Sequence, residues 1–192
     1  FAAPQTDTAG TYGTFNIDAN GVWTYTADNS QAAIQGLNTN DSLTEVFTVF
    51  SQDGSASNTV TVHINGTADI ATVSADVKSV SEDDAAILST GGTLVITDND
   101  TGEAFAAPQT NTAGDYGTFN IAANGVWTYT ANNSQTAIQG LNTNESLTEE
   151  FTVYSQDGSA NNTVTVHING TDDTATVTSD VKSVSEDDAA IL

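Results

Sequence analysis

Short stretches of alternating apolar and polar residues recur along the chain. Within residues 163–168 the apolar positions are Val164, Val166 and Ile168, and the polar positions are Thr163, Thr165 and His167. Alternation with a period of two is typical of a β-strand that buries one face and exposes the other. We therefore predict a strand whose valines and isoleucine face a core and whose threonines and histidine face solvent.

Turn signals separate the predicted strands. Residues 117–121 and 126–130 flank Ala122-Ala123-Asn124-Gly125, which predicts a hairpin because Asn-Gly supplies the positive φ angles of a tight turn. A second predicted hairpin joins residues 151–154 to residues 163–168, and residues 93–97 are predicted as a strand that ends at Asp98-Asn99-Asp100. Only residues 134–141 suit a short helical turn. Several short strands with turns between them predict an all-β fold, an antiparallel sandwich.

The chain contains an internal repeat with an offset of 104 residues. Residues 1–88 align with residues 105–192 without a gap and differ at 13 positions, so 75 of 88 are identical. This period is close to the size of a domain and far above that of a solenoid unit. We expect residues 1–68 to be the later part of one domain, residues 69–172 a complete domain, and residues 173–192 the first strand region of a third.

The composition excludes several classes of protein. The chain has 25 acidic residues against two lysines, a net charge of −23, and neither cysteine nor methionine. So acidic a chain repels phosphate backbones and anionic lipids, and no apolar run approaches the ~18–20 residues of a membrane span. We expect no nucleic-acid partner and no membrane insertion. Without cysteine, disulfides, thiolate zinc sites and thiol catalysis are excluded; without methionine, the chain is expected to be a piece of something larger.

Five segments carry a resemblance to a known family. They are residues 12–25 (YGTFNIDANGVWTY), 42–45 (SLTE), 65–67 (NGT), 80–86 (VSEDDAA) and 92–100 (GTLVITDND). They resemble the VCBS repeat, a cadherin-like, Ig-type module arrayed in giant bacterial surface and secreted proteins, including RTX-type adhesins. The resemblance implies tandem Ig-like or cadherin-like domains that act as extenders outside the cell, usually with calcium at their junctions.

Acidic residues concentrate where consecutive domains are expected to meet. With the cadherin pattern as a guide, the junction above the complete domain would use Asp41, Asp69, Asp98, Asp100 and Asp157. The junction below it would use Glu82, Asp83, Glu145, Asp172 and Asp173. Two carboxylates ~5 Å apart repel by ~3 kcal/mol at an effective dielectric constant of ~20, so a cation is needed among them. Ca²⁺ suits such a site because it takes 6–8 oxygen ligands in irregular geometry.

Other interpretations of these residues stay open. The acids could serve only to solubilise a marine or halophilic protein. His63 and His167 are repeat equivalents on a predicted outward face, which indicates solvated strand histidines rather than a base or a metal ligand. Trp23 and Trp127 could stack on sugars, although each precedes a tyrosine by two residues within a strand, a pattern more typical of a packed face. We expect no enzymatic activity.

The sequence leaves two functions open, and fewer of its features favour a third. The first is a structural extender of a giant bacterial cell-surface or secreted adhesin, with neighbouring repeats as its partners and calcium at the junctions. The second is the subunit of a self-assembling extracellular fibre or biofilm filament. In that case residues 184–192 of one copy would complete residues 1–68 of the next by β-strand addition. The third is a glycan-binding lectin.

Overall fold

Strands make up nearly all the regular structure in residues 1–186, the part of the chain that this computed structural model describes. Strand residues account for 48% and helix for 4%, so the all-β prediction is confirmed. The strands fall into two groups separated by the linker around residue 69. We call strands β1–β5 with α1 the first unit, and strands β6–β14 with α2 the second unit.

The first unit has two separate antiparallel sheets. One contains β1 (Gln5–Ala9), β2 (Gly13–Ile17) and β3 (Trp23–Ala27) in that order, and the other pairs β4 (Ser42–Phe50) with β5 (Ser57–Asn65). A single helical turn, α1 (Ala32–Gln35), connects the two sheets.

The second unit repeats these elements and adds strands before them. The added strands are β6 (Thr72–Val73), β7 (Asp76–Ser81), β8 (Ile87–Thr93) and β9 (Ile96–Thr97). The repeated elements are β10 (Gln109–Ala113), β11 (Gly117–Ile121), β12 (Val126–Asn132), α2 (Thr136–Gln139), β13 (Ser146–Tyr154) and β14 (Asn161–Asn169). One sheet has the order β10-β11-β12-β8, another has the order β13-β14-β7, and β6 pairs with β9.

Two of the added strands, β7 and β8, extend the two larger sheets of the second unit. β8 runs antiparallel to β12, and β7 runs parallel to β14 from the pair Val164↔Asp76 to the pair Asn169↔Ser81. The predicted hairpins β11–β12 and β13–β14 are both present, and α2 falls inside the predicted helical turn. The predicted antiparallel sandwich is confirmed, with one exception that the sequence did not predict: β7 comes from the start of the unit and pairs with β14 in parallel.

Two predicted strand boundaries are also wrong. Residues 93–97 are not one strand: β8 leaves β12 at Thr93, and Val95 exchanges hydrogen bonds of 2.9 Å with Ser74 beside the β6–β9 pair. The chain changes its pairing partner there, which an alternating sequence does not reveal. Residues 80–88, the repeat equivalent of the tail segment 184–192 that is predicted to add as a strand, are not one strand either. The Ser81 N–H donates to Asp84 Oδ2 (2.7 Å) in a turn between β7 and β8.

The core of the second unit lies between its two larger sheets. Val164, Val166 and Ile168 of β14 are fully buried, which confirms the predicted faces of that strand. Phe119 and Phe151 stack across the core with ring centroids 4.7 Å apart. Trp127 is 1% exposed and its indole N–H donates to Asp76 Oδ2 (3.1 Å), so this ring is a core residue with no face free for a sugar.

The first unit has a smaller core because no described residue takes the places of β7 and β8. Its buried cluster contains Phe15, Ile17 and Phe47, with the same stacked pair of phenylalanines 4.7 Å apart. Trp23, the equivalent of Trp127, is 46% exposed. Residues 173–186 contain no strand, and residues 187–192, which hold most of the predicted tail strand, lie outside the described part of the chain.

A candidate cation site between the two units

Three carboxylates converge at the end of the second unit that receives the linker. Carboxylate oxygens of Asp98, Glu103 and Asp157 all lie within 4.8 Å of one another. Asp98 follows β9 directly and turns the chain by accepting a hydrogen bond from the Asp100 N–H (2.9 Å). Gly102 then adopts φ +83°, which a side chain would strain, and the turn returns Glu103 toward Asp98. Asp157 comes from the β13–β14 turn.

Asp100 lies behind this trio and is almost completely buried, at 2% exposure. Its Oδ2 accepts a hydrogen bond of 2.7 Å from the Asp69 N–H, which ties the linker to the second unit. Among the described residues, Asp100 Oδ1 and Asp98 Oδ2 are buried with no hydrogen-bond partner. A buried carboxylate oxygen without a donor is costly, so each of these atoms calls for a donor or a cation.

Within the trio, the pKa values of Glu103 and Asp157 are shifted in opposite directions. Partial desolvation, and then repulsion from Asp100, Asp157, Asp98 and Asp41 in that order, raise the pKa of Glu103 above its ordinary value. Hydrogen bonds from the side chains of Ser155 and Ser159 lower the pKa of Asp157. The surroundings thus disfavour the ionised form of Glu103, and a bound cation would stabilise that form.

The first unit contributes a loop to the same place. Asn38 Nδ2 donates to the Thr101 carbonyl oxygen (3.3 Å), while Asn38 Oδ1 is buried without a partner in the described chain. The Asp41 N–H donates to the Asn38 carbonyl oxygen (2.9 Å), and Asp41 is close enough to Glu103 to raise its pKa. Oxygen atoms from both units thus lie around one junction.

A second acidic group lies at the opposite end of the second unit. Glu82 is 3% exposed, and its Oε1 accepts a hydrogen bond from the Thr171 N–H. Thr171 Oγ1 also donates to Asp83, while Glu82 Oε2 is buried with no partner in residues 1–186.

The remaining predicted ligands at this end lie further out. Glu145 accepts hydrogen bonds from the Asn142 N–H (2.8 Å) and side chain (2.9 Å), which lower its pKa. Asp172 Oδ1 accepts from the Thr143 N–H (3.0 Å), and Asp173 is exposed.

Sequence reasoning omitted one member of the upper cluster. Glu103 lies three residues after Asp100, separated from it by Thr101-Gly102. Glycine after an Asp-x-Asp segment signals a turn, and an acid directly beyond the turn is placed to point back. For Asp69, the contact that the structure shows is made by its backbone N–H rather than by its carboxylate.

Comparison with known proteins decides the family. The family model described as "Bacterial cadherin-like domain" matches residues 68–172, which is more than half of the chain. The chain belongs to the bacterial cadherin-like domain family. Domains of this type are extracellular structural or adhesion modules rather than enzymes, and they generally bind calcium.

Solved structures of cadherin domains are similar to this chain at low identity. The structure of mouse clustered PcdhgC3 EC1-3 has a TM-score of 0.47 and 11% identity over 81% of this chain and 50% of that one. The protocadherin gammaB7 EC3-6 cis-dimer structure has a TM-score of 0.40 and 14% identity over 88% of this chain and 40% of that one. The chain thus spans half or less of these cadherin chains. No protein with a curated description matches it.

Within residues 1–186, neither short helix has the length and apolar character needed to cross a bilayer.

Proposed function

We propose that the chain is a structural extender of the VCBS type, in which residues 69–172 are one complete domain of a tandem array and calcium stiffens the junctions. The observation that carries the proposal is the set of buried oxygens without partners at the junction between the units. Asp98 Oδ2 and Asp100 Oδ1 come from the second unit, and Asn38 Oδ1 comes from the first.

The chemistry of the donors favours calcium over other metals. All the side chains that surround the junction offer oxygen, and the chain has no cysteine. Mixed carboxylate and amide oxygens in an irregular arrangement suit Ca²⁺, whereas Mg²⁺ demands near-octahedral geometry and soft metals prefer sulfur or nitrogen. The proposed ligands are Asp98, Asp100, Glu103 and Asp157 from the second unit, with Asp69 from the linker and Asn38 and Asp41 from the first unit.

The lower end of the second unit supports the same function. Glu82 Oε2 is buried and unpartnered beside Asp83 and Thr171, where the linker to the next repeat departs. We assign Glu82, Asp83, Glu145, Asp172 and Asp173 to a second junction of the same kind. An array built this way belongs outside the cell, on or released from a bacterial surface, where millimolar calcium is available.

A scattering experiment tests the extender. Small-angle scattering of the whole chain is expected to give a longer, narrower distance distribution in calcium than in EDTA, because the cation removes repulsion that splays the linker. Asp98→Ala combined with Asp100→Ala is expected to abolish the difference. The control is Asp7→Asn combined with Asp18→Ala, which removes two charges and installs the residues that the second repeat carries at Asn111 and Ala122.

The two variants have distinct outcomes. Calcium is expected to extend the control as it extends the unmodified chain. If the Asp98/Asp100 variant still extended normally, the ligand assignment would be wrong; if the unmodified chain failed to respond, the extender proposal itself would fail.

The exposure of Trp23 favours a second candidate function, the fibre subunit. In the second unit, β8 covers Trp127 and β7 pairs with residues 164–169 of β14. The equivalent acceptor residues 60–65 in β5 have the identical sequence VTVHIN. Residues 180–192 repeat residues 76–88 without a difference, so they carry the sequence of β7. We propose that such a segment from a second copy pairs with β5, which would link copies head to tail.

Sedimentation separates the two candidates. If copies exchange strands, the mass of the 192-residue chain should rise with concentration, and deletion of residues 182–192 should return it to a monomer. A synthetic peptide of residues 76–97 should compete for the same edge and bring Trp23 into a protected environment. A monomer at every concentration whose Trp23 ignores the peptide would exclude strand exchange.

A further inference from the structure

A direct contact between the two units needs no cation. The Thr101 N–H donates to the Gly36 carbonyl oxygen (3.3 Å), and Asn38 Nδ2 donates back to the Thr101 carbonyl oxygen (3.3 Å). In the same region the Ala68 N–H donates to Thr39 Oγ1 (3.0 Å), which fixes the linker on the first unit. The loop after α1 therefore contacts both the linker, at Ala68, and the second unit, at Thr101.

Gly36 shows how closely the second unit approaches. Its backbone angles, φ −86° and ψ 14°, are accessible to any residue, so conformation does not require glycine here. Space is what is limited at this position. A Cβ on Gly36 would lie 2.7 Å from Thr101 Oγ1, so the Thr101 side chain would have to move, and 3.6 Å from the Asn99 carbonyl oxygen, an ordinary contact. Both of those atoms belong to the second unit.

Gly140 provides an internal comparison. It ends α2 as Gly36 ends α1, with φ −97° and ψ 7°. A Cβ there would meet only the Thr136 carbonyl oxygen at 3.1 Å, the counterpart of the Ala32 oxygen that lies 3.1 Å from a Cβ on Gly36. The two glycines thus differ in one respect, the presence of Thr101 and its loop against Gly36.

We propose that Thr101, seated against Gly36 and hydrogen-bonded to the loop of residues 36–38, sets the angle between consecutive units independently of calcium. The inference rests on the proposed extender function and refines it. The contact determines the mean orientation, and calcium at the neighbouring carboxylates narrows the spread around that orientation. Gly36 and Thr101 are positioning residues for the junction and are not placed among the calcium ligands.

Distances between spin labels test this division of roles. The chain has no cysteine, so Thr24→Cys and Thr128→Cys place one label on an exposed strand position of each unit. Pulsed electron paramagnetic resonance then gives the distribution of distances between them in EDTA and in calcium. For the unmodified junction we expect the same most populated distance in both conditions. Calcium should narrow the peak by removing the bent conformers, which shorten the chain in EDTA.

Two substitutions at equivalent glycines provide the contrast. Gly36→Leu is expected to displace the central distance in EDTA and in calcium, because the new side chain occupies the place of Thr101. Gly140→Leu adds the same side chain at the same helix end and is expected to leave the central distance unchanged. Thr101→Gly, at an exposed position, is a milder variant that should broaden the distribution of label distances in EDTA. Circular dichroism reports whether each variant folds.

The distance measurements distinguish a failure of the Thr101–Gly36 contact proposal from a failure of calcium stiffening. If Gly36→Leu and Gly140→Leu gave the same distribution, or if Thr101→Gly left the EDTA distribution unchanged, the contact would not set the angle. If calcium narrowed no distribution while Gly36→Leu still displaced the centre, calcium stiffening would fail and the contact would stand.

Discussion

Among single residues, Glu149 shows how this fold holds a charge in its core. The side chain is 4% exposed, and both carboxylate oxygens have donors: the Tyr129 hydroxyl donates to Oε2 and the Tyr116 N–H donates to Oε1 (2.8 Å). The first unit repeats the arrangement with Tyr25 and Glu45. A buried carboxylate is tolerated when every oxygen is hydrogen-bonded, so the tyrosine hydroxyl is the group whose removal matters most.

Tyr129→Phe is expected to destabilise the second unit by about 1–3 kcal/mol, because Glu149 Oε2 would be left buried without a donor. Tyr25→Phe is the matched control and should cost less, since Tyr25 is only partly buried and water can replace its hydroxyl. Urea unfolding followed through Trp127 for the second unit and Trp23 for the first gives both values. Equal losses at the two sites would contradict the argument.

The same tyrosine predicts a response to alkaline pH. Burial, the hydrogen bond to Glu149 and the charge of Glu149 raise the pKa of Tyr129 above its ordinary value. The folded chain therefore keeps a proton that the unfolded chain releases above about pH 10. The stability contributed by this proton is present below that pH and is lost as pH rises further. Urea titrations between pH 8 and pH 11 should show a fall that Tyr129→Phe reduces.

Glu103 permits a test in which one substitution has opposite effects in two conditions. Glu103→Gln should stabilise the chain in EDTA, because it removes the carboxylate that its neighbours repel. If Glu103 is a calcium ligand as proposed, the same substitution should weaken calcium binding, because it removes a charged oxygen donor. Melting temperature in EDTA and isothermal titration with calcium measure the two effects. Asp115→Asn, at an exposed acid outside the cluster, should change neither. A Glu103 variant that lost stability in EDTA would contradict the repulsion argument.

At the scale of elements, the same strand sequence has different surroundings in the two units. Trp127 in β12 is 1% exposed because β8 lies beside it, while Trp23 in β3 is 46% exposed. The residues on either side of each tryptophan are identical. Burial here is thus a property of the neighbouring strand, which local pattern cannot report.

Single-tryptophan variants measure this difference. With Trp127→Phe, the remaining Trp23 should be readily quenched by acrylamide and should emit at long wavelength, whereas with Trp23→Phe, the remaining Trp127 should be protected. Both measurements belong at low concentration, where copies are separate. A protected Trp23 under those conditions would mean that another strand covers β3.

The features that the sequence predicted are those that local backbone geometry decides. Alternation identified β11, β12, β13 and β14 and the buried face of β14, because side-chain direction in a strand depends only on local geometry. It failed at Thr93 and Val95, where the chain changes partners, and it does not give the direction of β7 relative to β14, which depends on distant residues. Glu103 was omitted because its approach to Asp98 depends on the turn at Gly102.

At the scale of the whole molecule, negative charge is largely unopposed. The described chain has two ion pairs, Lys78–Asp76 at 3.5 Å and Lys182–Asp180 at 4.0 Å, against a net charge of −23 for the full sequence. Lys182 and Asp180 are exposed and Lys78 is partly exposed, so solvent screens both pairs and makes them weak. General repulsion is relieved by any salt, while a site with buried oxygens responds to a specific cation.

Calcium should therefore raise the melting temperature above that found in sodium chloride of matched ionic strength. A ligand that binds only the folded state contributes about 2.7 kcal/mol at a hundredfold excess over its Kd. Scanning calorimetry in EDTA, in millimolar calcium and in matched sodium chloride makes the comparison. Equal melting temperatures in calcium and in matched sodium chloride would indicate that the acidic residues only make the chain soluble.

The identity of β5 and β14 over their last six residues also bears on how the chain finds its fold. β7 pairs in parallel with residues 164–169, yet residues 60–65 offer the same sequence and are synthesised before β7. A nascent chain thus meets the wrong acceptor first, only ten residues upstream of β7. Nothing in the strand sequences distinguishes the two pairings. Leu88 and Trp127 are buried only once the later strands are in place. We therefore expect completion of the core, rather than complementarity of the edge, to select the correct pairing.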